Sequence, residues 1–338
     1  GGSAIADTGA VSVANVAGAT LKLNASETIG SLAGGGTTGG TVNLQGFTLT
    51  TGDATDTAFA GVISGTGGAL TKAGTGTFTI SGDNTYSGLT TVSAGTLKLG
   101  HLNALGGTVS GTTIQSGATL DLNGAYASAN SNESITVSGT GVGGNGAIVN
   151  TGAGIANRGF GNLTLAGNTT IGGSVRWDIR GGITFTGNNF TLTKAGSFQL
   201  AVSSPLNGAD IVLNAGRLTI QTANALGTGG LTDTTTVNSG AILAYYGAYT
   251  VPEKIIFNGG SLESENSSTT FSGPITLNAT TNVTTAAGGH DITLSGIVDG
   301  VGGLTKLGLS TLTLSNANTY AGATAVNAGT LLLNSTHT

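Results

Sequence analysis

The sequence predicts an all-β protein, and more specifically a parallel β-helix, or β-solenoid, in which short strands stack turn upon turn. Three observations predict this class: a composition that favours strands, apolar-polar-apolar triplets that recur at intervals of 17 to 20 residues in the last third of the chain, and long internal repeats. In a solenoid each repeat adds a turn that packs only on its neighbours. With turns of roughly 20 residues, the chain would contain about 14 to 17 of them.

The composition excludes several other classes of protein. Only 25 of the 338 residues are charged, which excludes highly charged disorder, because ordinary chains carry a charge at roughly a quarter of their positions. Glycine occupies 62 positions and proline 3, with no strict Gly-X-Y period, so collagen and proline-rich linkers are excluded as well. The apolar residues are mostly Ala, Val, Ile and Leu, and Ser, Thr and Asn fill the polar positions. This mixture favours strands.

The remaining counts bear on partners and location. The chain has no cysteine, so it contains neither a disulfide scaffold nor a thiolate metal site. Its net charge of −5 and its 10 scattered basic residues provide no basic patch, so nucleic acid is not an expected partner. No apolar run approaches the roughly 18 residues of a membrane helix, so we expect no membrane insertion by this segment. Because methionine is absent, we expect an excerpt of a longer protein, whose export signal and any anchor lie outside it.

Short strands are predicted where an apolar-polar-apolar triplet precedes a polar or glycine stop. Such triplets occupy residues 21–23, 78–80, 97–99, 120–122, 163–165, 275–277, 292–294, 312–314 and 331–333. The alternative architecture is an antiparallel β-sandwich array, but its hairpins would need tight Asn-Gly or Asp-Gly turns. The repeats have long Gly/Thr segments between their strands instead, which favours the solenoid.

Internal repeats organise the whole chain. Residues 70–99 and 304–333 are identical at 18 of 30 positions without a gap. With their flanks these copies cover residues 64–99 and 296–333, and a degenerate copy covers residues 187–220. We therefore expect residues 1–338 to form one continuous β-solenoid, cut from a longer tandem array. A lysine follows Leu-Thr in each copy, and we predict that it points outward and discourages pairing at the sheet edge.

The two full copies resemble the autotransporter-associated β-strand repeat, or passenger-associated repeat, of bacterial surface and secreted proteins. The residues that carry this resemblance, to which we assign structural roles, are Lys72, Asn84, Tyr86, Gly88, Gly95, Lys306, Asn318, Tyr320, Gly322 and Gly329. The degenerate copy keeps Lys194 and Gly216 but lacks the Asn-Thr-Tyr-x-Gly segment. The resemblance implies an exported, right-handed parallel β-helix that acts as a rigid stalk or passenger.

The acidic residues do not indicate an active site. Polysaccharide hydrolases and lyases built on β-helices need carboxylates that converge on adjacent turns. Asp121, Asp178 and Glu133 could meet only by stacking. A second group is interpreted as a solvated acidic patch, and consists of Glu253, Glu263 and Glu265. The last two acids are interpreted as caps of turns and are Asp83 and Asp299.

We predict neither a cofactor nor a metal site. Residues 139–144 fit the G-x-G-x-x-G pattern, but β patterns lie on both sides, so the match is interpreted as chance in a glycine-rich chain. His101, His290 and His337 have no paired ligand spacing and are interpreted as loop residues.

One cluster differs from its surroundings, Arg176-Trp177-Asp178-Ile179-Arg180. In a strand, Trp177 and Ile179 would share the buried face, and the Arg-Asp-Arg row would be exposed. Alternatively, this cluster forms a contact surface for a sugar or a partner chain. Tyr245, Tyr246 and Tyr249 form the main aromatic concentration, for which core and contact surface remain equal alternatives.

The function predicted from the sequence is a non-catalytic, extracellular structural module of a bacterial surface protein: a stalk, adhesin passenger or matrix element. One alternative is a self-stacking subunit of an extracellular filament, and another is a polysaccharide-active enzyme. The expected partners are other copies or neighbouring repeats end to end, together with host-surface or matrix glycans or proteins.

Overall fold

The computed structural model describes residues 4–125, 133–154, 160–180, 184–227, 233–285 and 290–334. Its strands make up about 14 turns of a parallel β-solenoid, which confirms the predicted fold class. Every described strand pair is parallel, as in β10 with β12 and β35 with β37 defined below, so the antiparallel sandwich is excluded for these residues. No helix within the described ranges is long and apolar enough to cross a membrane.

The chain divides into two compact units, residues 1–177 and 178–338. The strands of the first unit are β1 (Ala10–Val13), β2 (Thr20–Lys22), β3 (Glu27–Ile29), β4 (Ser31–Gly34), β5 (Thr41–Asn43), β6 (Thr48–Thr51), β7 (Thr57–Phe59), β8 (Ile63–Ser64), β9 (Ala69–Lys72), β10 (Thr77–Ile80), β11 (Thr90–Val92), β12 (Thr96–Leu99), β13 (Thr112–Ile114), β14 (Thr119–Asp121), β15 (Ser134–Gly139), β16 (Ile148–Asn150) and β17 (Asn162–Gly173). The division between the units falls inside β18 (Trp177–Ile179).

The strands of the second unit are β19 (Thr184–Thr186), β20 (Phe190–Lys194), β21 (Gln199–Val202), β22 (Ala209–Leu213), β23 (Gly216–Ile220), β24 (Thr234–Asn238), β25 (Ala241–Tyr245), β26 (Thr250–Val251), β27 (Lys254–Asn258), β28 (Ser261–Ser264), β29 (Thr269–Phe271), β30 (Ile275–Leu277), β31 (Thr281–Thr285), β32 (Ile292–Leu294), β33 (Val298–Asp299), β34 (Leu304–Gly308), β35 (Thr311–Leu314), β36 (Thr324–Val326) and β37 (Thr330–Leu333). Residues 142–144 form a short 3-10 turn.

Within each unit the strands of successive turns stack into parallel sheets. In the first unit one sheet runs β4–β7–β10–β12–β14–β16 and another runs β3–β6–β9–β11–β13–β15–β17. In the second unit the corresponding runs are β21–β23–β25–β28–β31–β34–β36 and β20–β22–β24–β27–β30–β33. Each sheet therefore places residues from consecutive turns side by side.

The core of each unit follows the two-residue alternation of its strands. In β10 the side chains of Phe78 and Ile80 are buried, whereas Thr77 and Thr79 are partly exposed. Where the chain turns a corner, glycine allows a tight approach of one turn to the next. Gly95 has a φ of 61°, and a Cβ atom there would lie 2.5 Å from the carbonyl oxygen of Gly76. No other residue fits that corner without strain.

A ladder of asparagines follows one corner of the second unit. Asn214, Asn238, Asn258 and Asn278 lie at the ends of β22, β24, β27 and β30. The Nδ2 of each of the last three donates to the Oδ1 of the asparagine one turn earlier, at distances of 2.7, 2.8 and 2.9 Å. Stacked side-chain amides form hydrogen bonds from turn to turn, as the main-chain groups of stacked strands do. The ladder therefore adds side-chain hydrogen bonds to the main-chain bonds between these turns.

The position of an asparagine in this ladder determines how many bonds its loss removes. Asn258→Ala breaks two amide bonds and is expected to lower the free energy of unfolding by about 1–2 kcal/mol. Asn278→Ala breaks one of the ladder bonds and should cost about half as much. Urea denaturation of the two variants, followed by circular dichroism, checks this order. Equal losses would show that the amides act independently of the ladder.

Candidate functional site

The lysine of the first full copy is buried beneath the next turn. Lys72 ends β9 and is 1% exposed. Its Nζ donates to the carbonyl oxygens of Ala73, Gly74 and Ala94, at 2.6, 2.9 and 3.1 Å. We call this arrangement of an ammonium group and main-chain carbonyls the lysine cradle. Ala94 belongs to the turn after Lys72, so the cradle ties two consecutive turns together.

The cradle recurs in the other copies. Lys306 is fully buried, and its Nζ donates to the carbonyl oxygens of Leu307, Gly308 and Ala328 at 2.7, 2.8 and 3.2 Å. Lys194 donates to the carbonyl oxygens of Gly196 and Ala215 at 3.1 and 2.8 Å, and it lies 4.0 Å from the centre of the Phe198 ring. The degenerate copy therefore keeps the cradle although it lacks the Asn-Thr-Tyr-x-Gly segment.

The prediction that these lysines point outward is wrong. Burial lowers the pKa of Lys72 and of Lys194 to about 8, and it also lowers the pKa of Lys306. The carbonyl oxygens compensate the buried ammonium because each accepts a charge-assisted hydrogen bond. The glycines of the three cradles, Gly95, Gly216 and Gly329, all have positive φ angles, of 61°, 68° and 68°.

The Asn-Thr-Tyr-x-Gly segment also bridges turns. Asn84 is 3% exposed; its Oδ1 accepts the main-chain N–H of Ile63 at 2.8 Å, and its Nδ2 donates to the carbonyl oxygen of Ala104 at 2.6 Å. Asn84 therefore links the turn before it to the turn after it. The Tyr86 Oη lies 2.7 Å from the Thr90 Oγ1 in the core.

The second full copy repeats part of this arrangement. The Oδ1 of Asn318 accepts the N–H of Val298 at 2.8 Å, and the Tyr320 Oη lies 2.7 Å from the Thr324 Oγ1. The glycine that follows the tyrosine permits close packing in both copies. A Cβ atom at Gly88 would lie 2.5 Å from a carbonyl oxygen of the preceding turn, and one at Gly322 would lie 2.3 Å from a carbonyl carbon.

In the first unit two buried acids have separate structural partners. The Oδ1 of Asp121 accepts the N–H groups of Asn123 and Thr151 at 2.9 and 3.1 Å. The Oε1 of Glu133 accepts the Thr112 hydroxyl at 2.6 Å, and burial raises the pKa of Glu133 to about 7. Each carboxyl group thus serves its own stretch of main chain or its own hydroxyl group.

The second unit contains a buried acid at a position equivalent to Glu133. Glu253 precedes β27 as Glu133 precedes β15, and it is 1% exposed. Burial, followed by the negative charges of Asp233 and Asp210, raises the pKa of Glu253 to about 8, although the nearby Thr235 hydroxyl lowers it slightly. At neutral pH this carboxyl group is therefore mainly protonated. Its interpretation as part of a solvated acidic patch is wrong.

The Arg-Trp-Asp-Ile-Arg cluster is largely internal. Trp177 is fully buried, packs edge-on against Phe160 with ring centres 5.9 Å apart, and its Nε1 donates to the Gly172 carbonyl at 3.3 Å. Asp178 is fully buried too; its Oδ2 lies 2.9 Å from the Arg180 Nε. Neither Trp177 nor Asp178 can belong to an exposed row or a contact surface. Arg176 and Arg180 are partly exposed.

The three tyrosines separate into core and surface. Tyr245 is fully buried and packs edge-on against Phe271, with ring centres 4.8 Å apart, so its assignment to a contact surface is wrong. Tyr246 is 47% exposed. Tyr249 is partly exposed, and its Oη lies 2.7 Å from the carbonyl oxygen of Gln221.

An ionic network lies on the same outer sheet face as Tyr246. The Nη1 and Nε of Arg217 lie 2.6 and 2.7 Å from Glu263 Oε2 and Glu265 Oε1. The Thr219 hydroxyl donates to that Glu265 oxygen at 3.2 Å, and the Gln199 Nε2 donates to Thr219 at 2.8 Å. The two glutamates thus pair with an arginine. We call Gln221, Tyr246, Tyr249, Arg217, Glu263 and Glu265 the tyrosine face.

The other candidate residues lie in loops or at strand ends. Asp83 accepts the Asn103 side-chain amide at 2.7 Å, and Asp299 ends β33. His101 and His290 lie outside the strands, and His337 is outside the described residues. The G-x-G-x-x-G stretch leads into the 3-10 turn at residues 142–144. Across the described ranges, no group of three or more His, Asp or Glu side chains is placed to bind a metal ion.

A known family of repeats matches the two segments in which the lysine and asparagine contacts recur. The model of the passenger-associated-transport-repeat matches residues 70–99 and 304–333, which contain the cradles of Lys72 and Lys306. The chain carries this repeat. The resemblance inferred from the two full copies is thereby confirmed. Both copies share a buried lysine, a turn-bridging asparagine and a tyrosine bonded to threonine.

The similarity extends beyond the two repeats. The chain is 34% identical over 352 aligned residues to the adhesin BmaC autotransporter of Brucella suis biovar 1 (strain 1330). The alignment covers 97% of this chain and 9% of the adhesin, so the chain spans about a tenth of that relative's length. No solved structure matches the chain.

Sequence reasoning missed the partners of the tyrosine face. Arg217 lies in the degenerate copy at residues 187–220, whereas Glu263 and Glu265 lie 46 and 48 residues later. Their meeting depends on the lengths of the turns between them. A signal was present in the alternation of outward positions along β23 and β28, but it required the register of the stack.

Proposed function

We propose that this chain is a passenger module of a bacterial surface protein, located outside the cell, with a non-catalytic role in adhesion. The β-solenoid acts as a stiff support, and its outer faces carry the contacts with partners. Host-surface or matrix glycans and proteins are the partners that this role requires.

The observation that carries the proposal is the recurrence of the lysine cradle within a chain that is similar to an adhesin over 97% of its length. Each cradle uses main-chain carbonyls and lies inside the solenoid, so the outer side chains take no part in it. Outer faces can therefore differ from turn to turn while the support stays the same.

A polysaccharide-active enzyme has less support. In the first unit Asp121 and Glu133 are buried and engaged by separate partners. In the second unit Glu263 and Glu265 are both paired with Arg217. Hydrolysis needs one carboxyl group to donate a proton and another to act as base or nucleophile on the same bond.

The proposal is tested with the purified chain and with the bacterium that makes it. We expect antibodies against the chain to label intact cells, and beads coated with the folded chain to attach to cultured host cells. Beads coated with heat-denatured chain are the control and should attach less. Labelling only after the cells are permeabilised, or equal attachment of both kinds of bead, would contradict the proposal.

A further inference from the structure

We propose that the tyrosine face binds a neutral glycan, with Tyr246 stacking on a sugar ring and Gln221, Glu263 and Glu265 hydrogen-bonding its hydroxyl groups. This inference deepens the proposed function and rests on it. It names one face of the module and the chemical class of its ligand.

The first step of the argument is the position of the aromatic side chain. The N–H of Tyr246 bonds to Ile220 and the N–H of Glu265 bonds to Tyr245, at 2.9 and 2.8 Å, so Gln221, Tyr246 and Glu265 follow the same sheet position in three successive turns. Neighbouring strands are roughly 4.8 Å apart, which places these three side chains next to one another. An exposed ring thus lies between an amide and a carboxylate.

The corner beside Tyr246 is built to hold a second ring. Gly247 has a φ of 145°, and a Cβ atom there would lie 2.2 Å from the ring of Tyr249. Only glycine lets Tyr249 fold back so closely over the main chain. The Tyr249 Oη is fixed near the carbonyl oxygens of Gln221 and Tyr246, at 2.7 and 3.1 Å. Little conformational entropy remains to be lost at this corner on binding.

The polar part of the face is equally fixed. Arg217 holds one oxygen of Glu263 and one of Glu265, and Thr219 bonds the same oxygen of Glu265. An ionised carboxylate has two oxygens and can accept about four hydrogen bonds, so each retains accepting capacity. Carboxylates in fixed positions suit pairs of neighbouring hydroxyl groups, and aromatic rings suit the C–H face of a sugar.

Charge and apolar area indicate the class of ligand. Two glutamates outnumber the single arginine on this face, so an anionic glycan would meet repulsion. A protein interface needs an apolar centre, whereas Tyr246 is the one exposed large hydrophobic residue of the face as described here. Ala244 and Thr219, on the strands between the ion pairs, are buried. A neutral sugar carries no charge that the glutamates would repel, and it does not need an apolar centre.

The test uses the full 338-residue chain. It is applied to an array of neutral, sialylated and uronic-acid glycans, and the strongest neutral ligand is titrated by calorimetry. We expect Tyr246→Ala to weaken binding about tenfold or more and Tyr246→Phe to keep it within about threefold, because the ring makes the stacking contact. Glu265→Gln should weaken binding as well. The matched control is Leu309→Ala, which removes an apolar side chain that is 78% exposed at another corner.

Three results would overturn this inference: no binding to neutral glycans, tighter binding to anionic ones, or equal affinity for Tyr246→Ala and the wild type. Bead attachment separates it from the proposed function. If beads carrying Tyr246→Ala attach normally, or if wild-type beads attach to cells stripped of glycans, the ligand is a protein and the glycan inference fails while the adhesive function stands. If wild-type beads do not attach, the proposed function itself fails.

Discussion

Lys72→Met is expected to lower the free energy of unfolding by about 3–5 kcal/mol. The substitution keeps the length of the side chain but removes the ammonium group that serves three carbonyl oxygens. Those carbonyls would stay buried without a donor, and an unsatisfied buried polar group costs about 1–3 kcal/mol. Chemical denaturation of the full chain, followed by the fluorescence of buried Trp177 and by circular dichroism, measures the loss.

The matched control is Lys98→Met in a neighbouring turn. The Lys98 side chain is 34% exposed, and its Nζ lies 3.8 Å from Asp121. A loose, partly exposed ion pair contributes about 0–1 kcal/mol, so the control should lose at most that amount. Similar losses in the two variants would show that the cradle adds no more than an ordinary surface lysine.

Glu253→Gln is expected to remove a large part of a decline in stability that the wild type shows between pH 5 and pH 8. The pKa of Glu253 is raised to about 8 from an ordinary value of 4.5, so the folded chain binds this proton more tightly than the unfolded chain. The stabilisation is complete below the unfolded pKa and is lost as the pH rises through the folded pKa. Glu133, whose pKa is raised to about 7, contributes in the same direction.

The size of the effect follows from proton linkage. Where the folded chain binds one more proton than the unfolded chain, the free energy of unfolding changes by about 1.4 kcal/mol per pH unit. Relaxation and water penetration around the carboxyl group reduce this, so we expect Glu253→Gln to exceed the wild type by about 2 kcal/mol at pH 8. At pH 5 the two should be equal within error. The lysines, whose pKa values are lowered to about 8 for Lys72 and Lys194, are present in both proteins and affect the two stability curves alike.

The control for this series is Asp7→Asn, whose side chain is exposed. It should leave the slope of stability against pH unchanged, because an exposed charge is solvated in both states. Thermal melts at several pH values measure all three proteins. A Glu253→Gln variant with the slope of the wild type would contradict the assignment of the pH dependence to this buried carboxyl group.

The strands and the repeats could be predicted from sequence because both depend on local patterns. The triplets at residues 78–80 and 312–314 form the inner and outer positions of β10 and β35. The burial of Lys72 was also present in that pattern, since Leu70 and Lys72 occupy alternate, inward positions on either side of Thr71. Alternation alone does not predict a buried ammonium group, because one of the carbonyl oxygens that compensate it, that of Ala94, comes from the next turn.

The tyrosine face was predictable only in part. Tyr246 follows from the local alternation after Leu243, whereas the network around Arg217 requires the register between turns. Turn length varies along the chain: Thr96 pairs with Thr77, 19 residues earlier, and with Thr119, 23 residues later. The extra residues lie between the strands, so the stacked positions stay aligned while the sequence distance between them changes from turn to turn. Local periodicity therefore cannot tell which outer residues become neighbours.

The chemistry of the lysine cradle bears on how such chains diverge. The partners of Lys72, Lys194 and Lys306 include carbonyl oxygens that every amino acid supplies. A mutation in a neighbouring side chain therefore does not remove these ligands, provided that the corner glycine is kept. Duplicated segments can therefore diverge in sequence and still form the lysine cradle with the next turn. Because of the cradle, the outer side chains of a segment can change during evolution while its contact with the next segment stays the same.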